Sequence, residues 1–326
     1  MKKAIRFFSL CLIFLSSHYT VYCWGFYAHQ KINYYAVFLL PPQMLVLFKP
    51  HISFLSEHAI DPDKRRYAVP DEGPRHYIDM DHYGAYPYAA LPRNWRDAVA
   101  KFGKDSLQQH GIVPWHIQTM LYRLTDAFKA KNFSQLMKTG AEIGHYIADA
   151  HVPLHASSNH NGQFTNQKGI HGFWESRVPE LLAEKEFNFF IGKAEYIQNP
   201  GDFIWNRVLE SAQAADTVLT YERELSLQFT DDQKYAFEWR NGKTIRQYST
   251  AFTIAYNKKL DGMIERRMRQ SIYAIASFWY TAWVNAGEPD LKELVKQKIS
   301  EADRKDFENL NKQWRSGTTM IGRQEQ

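Results

Sequence analysis

Cysteine is nearly missing from this chain: Cys11 and Cys23 are the two in 326 residues. Both lie in residues 1–23, which read as a secretory signal peptide. Lys2, Lys3 and Arg6 precede an apolar run from Phe7 to Ser16, and a polar stretch follows. Cleavage after Cys23 makes Trp24 the new N-terminus and leaves a mature chain without cysteine, which excludes both a disulfide framework and a thiolate metal site. Thr20-Val21-Tyr22 lacks the small residues usual before a lipidated cysteine, so simple cleavage is expected rather than lipidation at Cys23. A long hydrophobic run is missing too. About ten apolar residues fall short of a bilayer span, so no transmembrane anchor is expected and the protein is read as secreted or periplasmic. Charge of one sign is also scarce. The formal net charge of +5 falls to +2 when three cations and no acids leave with residues 1–23. A balance so near neutral gives no support for a broad nucleic-acid-binding surface. No internal repeat, low-complexity tract or convincing strand pattern is visible. Residues 24–326 therefore read as a single all-α domain, mostly helical with long loops, large enough for a sizeable core. A monomer is expected.

Histidine and carboxylate are concentrated in one stretch, Ala141 to Glu175 (AEIGHYIADAHVPLHASSNHNGQFTNQKGIHGFWE). It holds His145, His151, His155, His160 and His171, with Asp149 and Glu175. His145 with Asp149, and His171 with Glu175, are spaced i, i+4, which puts each pair on one helical face. An imidazole and a carboxylate converging in this way make a metal site of the kind zinc uses. Pro153 separates His151 from His155, so His155 is expected just past a helix end, turned back toward the same centre.

The remaining chain reads as scaffold and further ligands. Ile32, Tyr35, Ala36 and Leu39 have helical period up to Pro41-Pro42, and Met44 to Phe48 forms a short buried turn. Residues 58–84 are rich in Pro, Gly and Asp and read as a long loop holding Asp61, Asp63, Arg65, Arg66, His76, Asp79, Asp81 and His82. Long loops in compact domains are usually functional or disordered. A helix is expected from Pro114 with Ile117, Leu121, Leu124 and Phe128 on its stripe. Another runs from about Ser134 to near His151. Gly140 and Gly144 inside it each cost about 1 kcal/mol against alanine, which is tolerated where backbones approach closely. Residues 156–170 form a polar loop, and His171 starts a helix toward Leu182. In 188–250, Phe189, Phe190, Trp205 and Trp239 are expected in the core, and Glu222 with Glu224 on a solvated face. A long helix from Tyr256 to Ala286 carries Ile264, Met268, Ile272, Ile275, Trp279 and Trp283, and stops at Gly287-Glu288-Pro289.

Together these pieces resemble the zinc-dependent P1/S1 nuclease and bacterial phospholipase C superfamily over most of the mature chain. GHYIADAHVPLH is similar to its His-x3-Asp-x5-His element through His145, Asp149 and His155. HGFWE is similar to the following His-x3-Asp/Glu element through His171 and Glu175, and HYIDMD to the segment that supplies a histidine, here His76. Trp24 resembles the family's mature N-terminal tryptophan, with His29 at the nuclease-branch spacing, and WYTAWVNAG is similar to the C-terminal helix of the phospholipase branch. The resemblance implies a cleft with three Zn2+ ions. Asp63, His76, His145 and Asp149 would hold the first, and His155, His171 and Glu175 the second. The amino nitrogen and carbonyl oxygen of Trp24, with His29 and Asp149, would hold the third. His82, His151 and His160 fall at non-ligand positions. Asp63, followed by Lys64-Arg65-Arg66, fits the family's Asp-x2-Arg/Lys pattern best, but Asp61 is two residues away and both stay open.

The implied activity is hydrolysis of phosphodiester or phosphomonoester bonds by a zinc-bound hydroxide. Asp63 at the metal and Arg66 on the phosphate are the candidate catalytic residues. Nuclease-like action on single-stranded nucleic acid or nucleotides is expected, with a phospholipase C acting on phospholipid head groups as the alternative. The Trp24–His29 spacing favours the first; Glu175 in place of aspartate and the C-terminal helix favour the second. A non-catalytic zinc module is the remaining reading, weakened because structural sites are usually closed and cysteine-rich.

Overall fold

The architecture follows from five core helices. In this computed structural model, which describes residues 25–240, 242–317, 320, 321 and 323, they span Phe26–Val37, Val113–Lys129, Phe133–Asp149, Pro200–Ser226 and Met263–Asn285. The expected signal peptide, both cysteines and Trp24 lie outside the described residues. Phe133–Asp149 starts where the Asn132 side chain accepts the N–H of Gln135 at 3.1 Å, satisfying one of the unpaired donors of a helix start. It packs against Val113–Lys129 and Phe26–Val37, and Met263–Asn285 crosses all three. Ile264, Met268, Ile272, Ile275, Trp279 and Trp283 are all buried, so that stripe is core, as its periodicity implies.

One of the two glycines in Phe133–Asp149 sets how closely these helices meet. A Cβ on Gly144 would lie 2.1 Å from Asn33 Oδ1, and the Gly140 carbonyl accepts the Trp279 indole N–H at 2.9 Å. The helical cost of Gly144 is thus offset by close approach of the first core helix, whereas a Cβ at Gly140 would meet Leu55 at 3.6 Å and Trp279 at 3.9 Å, ordinary contact distances, so close approach does not require that glycine.

The structure departs from the sequence reading in four places. Residues 58–84 are not structureless: short helical turns cover His58–Ile60, Asp61–Arg65, Gly73–Arg75 and Met80–Tyr83. The long C-terminal helix is two helices, Thr250–Lys259 and Met263–Asn285, broken where Asp261 and Gly262 take positive φ (51° and 70°). Tyr235–Arg240 and Lys243–Tyr248 form an antiparallel hairpin, β1 and β2, with Phe237 opposite Arg246 and Trp239 opposite Thr244. The signal was present, since Asn241-Gly242 separates two runs rich in aromatic and β-branched residues. Finally, burial is reassigned. Trp205 is buried and Phe189 half-buried, but Phe190 and Trp239 are 91% and 73% exposed. Glu222 is buried, held by Gln167 Nε2 (2.5 Å), Ser226 Oγ (2.9 Å) and Lys234 Nζ (2.7 Å), whereas Glu224 is solvated as expected.

No helix among the described residues is long and apolar enough to cross a membrane.

Candidate metal centre

The i, i+4 pair on Phe133–Asp149 places His145 and Asp149 on the face turned toward the first helix, where His29 meets them. The His29 and His145 rings stack with centroids 3.9 Å apart, and His29 Nε2 lies 3.4 Å from Asp149 Oδ1. The other carboxylate oxygen faces elsewhere. Asp149 Oδ2 lies 3.0 Å from His76 Nδ1 and 3.2 Å from His145 Nε2, and Asp63 Oδ1 is 3.6 Å from the same His145 nitrogen. His145 and Asp149 thus belong to one cluster with His29, and His145 to a second with Asp63 and His76. Helix end and proline define a third. The chain leaves the helix after Asp149, turns at Pro153–Ala156, and brings His155 to His171 and Glu175. His171 and Glu175 keep their i, i+4 spacing across a π-helical turn at Phe173–Arg177.

These eight residues are buried, at most 6% exposed. Every described residue that the sequence pattern picks as a ligand is in one of the three clusters, and Trp24 lies outside the described residues. Gly25, which follows it, is tied to the third cluster, since its N–H donates to the Glu175 carbonyl at 3.2 Å. Of Asp61 and Asp63, only Asp63 lies in one of the three clusters. Asp61 is taken by His58 (2.6 Å) and Lys64 (2.9 Å), while Asp63 turns toward His76 and His145.

Backbone carbonyls fix the histidine tautomers. A carbonyl oxygen only accepts, so the ring nitrogen facing it carries the proton. His145 Nδ1 faces the Ala59 carbonyl (2.8 Å), His155 Nδ1 the His76 carbonyl (2.6 Å), and His171 Nδ1 the His160 carbonyl (3.0 Å). In this tautomer each ring turns Nε2 into its cluster. His155 and His171 Nε2 stand 3.1 Å apart, with Glu175 Oε2 at 3.6 and 3.1 Å. Three acceptors aimed at one point, out of water, repel unless a cation sits among them. The donor set therefore fits a metal ion, and its nitrogen and oxygen composition suits zinc among other divalent cations.

Electrostatics agree. Burial, and then the neighbouring His29, hold His145 down at about 3, so it is neutral and free to ligate. Burial likewise lowers His29. Burial would raise Asp149, but His145 and His155 outweigh it and keep the carboxyl ionised, well below its ordinary range. His76 differs. Burial would lower it, yet hydrogen bonding to Asp149 and Glu72 raises it to about 9, so without metal it takes up a proton.

Glu72 was missed by sequence reasoning, although it precedes His76 by four residues. It is fully buried and its Oε1 lies 3.6 Å from His76 Nε2. Arg65 Nε (3.2 Å) and Arg75 Nη1 (2.7 Å) bind its other oxygen, and the Tyr146 hydroxyl donates to Oε1. Arg65 also binds Glu142 at 2.7 Å. A carboxylate behind a ligating histidine is the usual way its orientation is fixed.

Arg66 is fully buried and belongs to none of the three clusters. Its guanidinium donates to the Arg323 carbonyl at 2.9 Å, and its charge opposes protonation of His76. The three histidines expected not to ligate also lie outside the clusters. His151 Nδ1 donates to the Ile147 carbonyl (2.7 Å), His160 Nδ1 lies 3.1 Å from the Ser158 carbonyl, and His82 stacks on His110 with centroids 3.4 Å apart.

Comparison with family models finds no match, and none of the curated proteins matches the chain. The likeness to the nuclease and phospholipase C superfamily rests on the motifs themselves.

Proposed function

We propose that the protein is a secreted, zinc-dependent phosphoesterase of the P1/S1 nuclease and phospholipase C type, cleaving phosphodiester bonds in single-stranded nucleic acid or nucleotides. One observation carries the reading. Asp149 turns its two carboxylate oxygens toward different sets of buried histidines, so neighbouring metal ions would share it. A lone structural ion needs no shared carboxylate, whereas phosphoryl transfer uses metals held close together.

Asp63, His76, His145 and Asp149 would hold one ion, His155, His171 and Glu175 another, and His29 and Asp149 a third together with Trp24. When bound, zinc supplies Lewis-acid charge for the phosphoryl oxygens and lowers the pKa of a bound water. The chain supplies the rest. Carbonyls of Ala59, His76 and His160 hold the three Nδ1 protons and aim Nε2 inward. Glu72 stands 3.6 Å behind His76 Nε2, where it would orient the ring, and all eight residues are buried. Because the Arg66 guanidinium is buried against the Arg323 carbonyl, its contact with phosphate would require the C-terminal segment to move aside.

Glu175 at the metal favours the phospholipase branch, so the test offers both substrates. Mature protein beginning at Trp24 and loaded with zinc is assayed on single-stranded DNA or RNA and on phosphatidylcholine, with and without chelator. Chelator-sensitive release of nucleotides supports the proposal. Release of phosphocholine alone would move the protein to the phospholipase branch, and no cleavage of either substrate by fully loaded protein would overturn the catalytic reading.

A further inference from the structure

The β1–β2 hairpin has two unlike faces. Residues alternate across a strand, so Tyr235, Phe237 and Trp239 share one face with Thr244, Arg246 and Tyr248, while Glu238 and Arg240 point to the other. The second face is pinned down. Glu238 receives Arg177 Nη2 at 2.5 Å, and Arg240 reaches Glu180 at 2.7 Å. At the base of the hairpin, Tyr248 stacks on Phe173 with centroids 3.8 Å apart, and its carbonyl accepts Arg177 Nε at 3.2 Å. Phe173–Arg177 is the turn that carries Glu175. The hairpin is thus built directly on a segment of the metal centre.

Beyond Tyr248 its first face is open. Phe237 and Trp239 are each 73% exposed. Beside them the Arg246 guanidinium lies 3.6 Å from the Tyr235 ring centroid, and the ion pairs of the hairpin use Glu238 and Arg240 rather than Arg246. Two exposed aromatic rings in a row on one strand, flanked by an arginine outside those ion pairs, match the chemistry of unpaired bases joined by phosphates: rings for the bases, cation for the backbone. A membrane surface is the other partner that aromatics and cations fit, but the layout disfavours it. A hairpin entering a bilayer leads with an apolar tip, whereas the residues flanking this turn are Arg240 and Lys243 and the aromatics lie along the side.

We propose that the open face of the hairpin is a stacking platform for single-stranded nucleic acid, with Phe237 and Trp239 each taking a base and Arg246 meeting the phosphates. The proposal builds on the phosphoesterase reading, and it explains how a protein of near-neutral charge would hold a polyanion: through one local surface rather than an overall field. Two six-residue strands rise about 20 Å, enough for several nucleotides of a strand whose scissile bond lies at the metals.

The experiment uses zinc-loaded mature protein and a fluorescein-labelled phosphorothioate oligo(dT), which resists cleavage, with anisotropy as readout. F237A/W239A is expected to weaken binding at least about 30-fold, from the loss of about 1–3 kcal/mol of stacking at each of two bases, with W239F keeping most of the affinity. R246A is expected to flatten the dependence of log K on log salt by somewhat under one unit. Hydrolysis of bis(p-nitrophenyl) phosphate, too small to reach the hairpin, should be unchanged in all variants, which also reports that the metal centre is intact. On unmodified oligonucleotide the double variant should raise KM at constant kcat. Equal oligonucleotide affinity in wild type and F237A/W239A would overturn the platform while leaving the phosphoesterase standing. So would a selective loss of binding to phosphatidylcholine vesicles. Wild-type protein that binds oligo(dT) through the hairpin yet hydrolyses neither substrate would keep the platform and sink the phosphoesterase.

Discussion

His155 Nε2 and His171 Nε2 face each other at 3.1 Å, each with its other ring nitrogen tied to a backbone carbonyl. Neither can give a proton to the other without breaking its carbonyl bond, so the pair is arranged for a cation between them. Glu175 completes the set from the next turn. His171→Ala should therefore remove about one equivalent of zinc, measured by inductively coupled plasma mass spectrometry. It should also remove the stabilisation that zinc gives the wild type, about 3 kcal/mol when free metal is a hundredfold above its dissociation constant. An unchanged stoichiometry would refute this cluster as a metal site.

Asp149 predicts a larger effect than any other ligand. Each of its oxygens serves a different histidine set, and the neutral Asp149→Asn keeps the shape but not the charge. Loss of about two zinc equivalents is expected, with activity falling by more than the 10- to 100-fold that removal of an outer-shell partner costs. Retention of all zinc by the variant would show that Asp149 is not shared.

Glu72 stands 3.6 Å from His76 Nε2 without joining a cluster. Glu72→Gln keeps the volume and one acceptor but loses the charge that Arg65 and Arg75 neutralise. Zinc affinity should fall about 10- to 100-fold, read by competition with a chromogenic chelator, while circular dichroism of the zinc-loaded form stays as in wild type. Equal affinities would make Glu72 a folding residue only.

Gly144 tests the helix contact that brings His29 to His145. In Gly144→Ala the new methyl would meet Asn33 Oδ1 at 2.1 Å, and Asn33 is itself held by hydrogen bonds to the Leu55 (2.9 Å) and Ala141 (3.0 Å) carbonyls. Overpacking of about 1–3 kcal/mol should exceed the roughly 1 kcal/mol gained in helix propensity. Urea denaturation should show a net loss; a more stable variant would mean that the helices can move apart freely.

Much of this centre was legible in the sequence because local spacing encodes it. The i, i+4 pairs His145–Asp149 and His171–Glu175 meet wherever a helix forms, and Pro153 forces the chain to turn between them. Glycine at 144 likewise signals a close neighbour, though not that the neighbour is Asn33. Contacts fixed by tertiary packing were not legible. Glu222 looks like a surface acid until Gln167, Ser226, Tyr248 and Lys234 close around it. Trp239 looks like core because aromatic residues usually are, and its exposure follows only from which face of the hairpin the Arg177–Glu238 pair pulls down. The choice between Asp61 and Asp63 depends on His58 and Lys64 occupying Asp61, which spacing alone leaves open.

His151 makes a prediction about pH that is separate from the metals. Burial, with Arg267 and Arg207 adding to it against the Ile147 carbonyl bond, holds its folded-state pKa down at about 3. In the unfolded chain a histidine titrates near 6.5, so between about pH 6.5 and 3 the unfolded state binds the extra proton. The stability contributed by neutral His151 is complete above pH 6.5 and is lost progressively as pH falls through that window. From pH 6.5 to 5 the loss is about 2 kcal/mol for this one group. His151→Gln has no proton to bind and keeps an N–H that can reach the Ile147 carbonyl. Its urea-unfolding free energy, measured in chelator so that metal release does not contribute, should fall less than wild type by about that amount over the same interval. Parallel pH profiles for the two proteins would mean that His151 is protonated in the folded state after all.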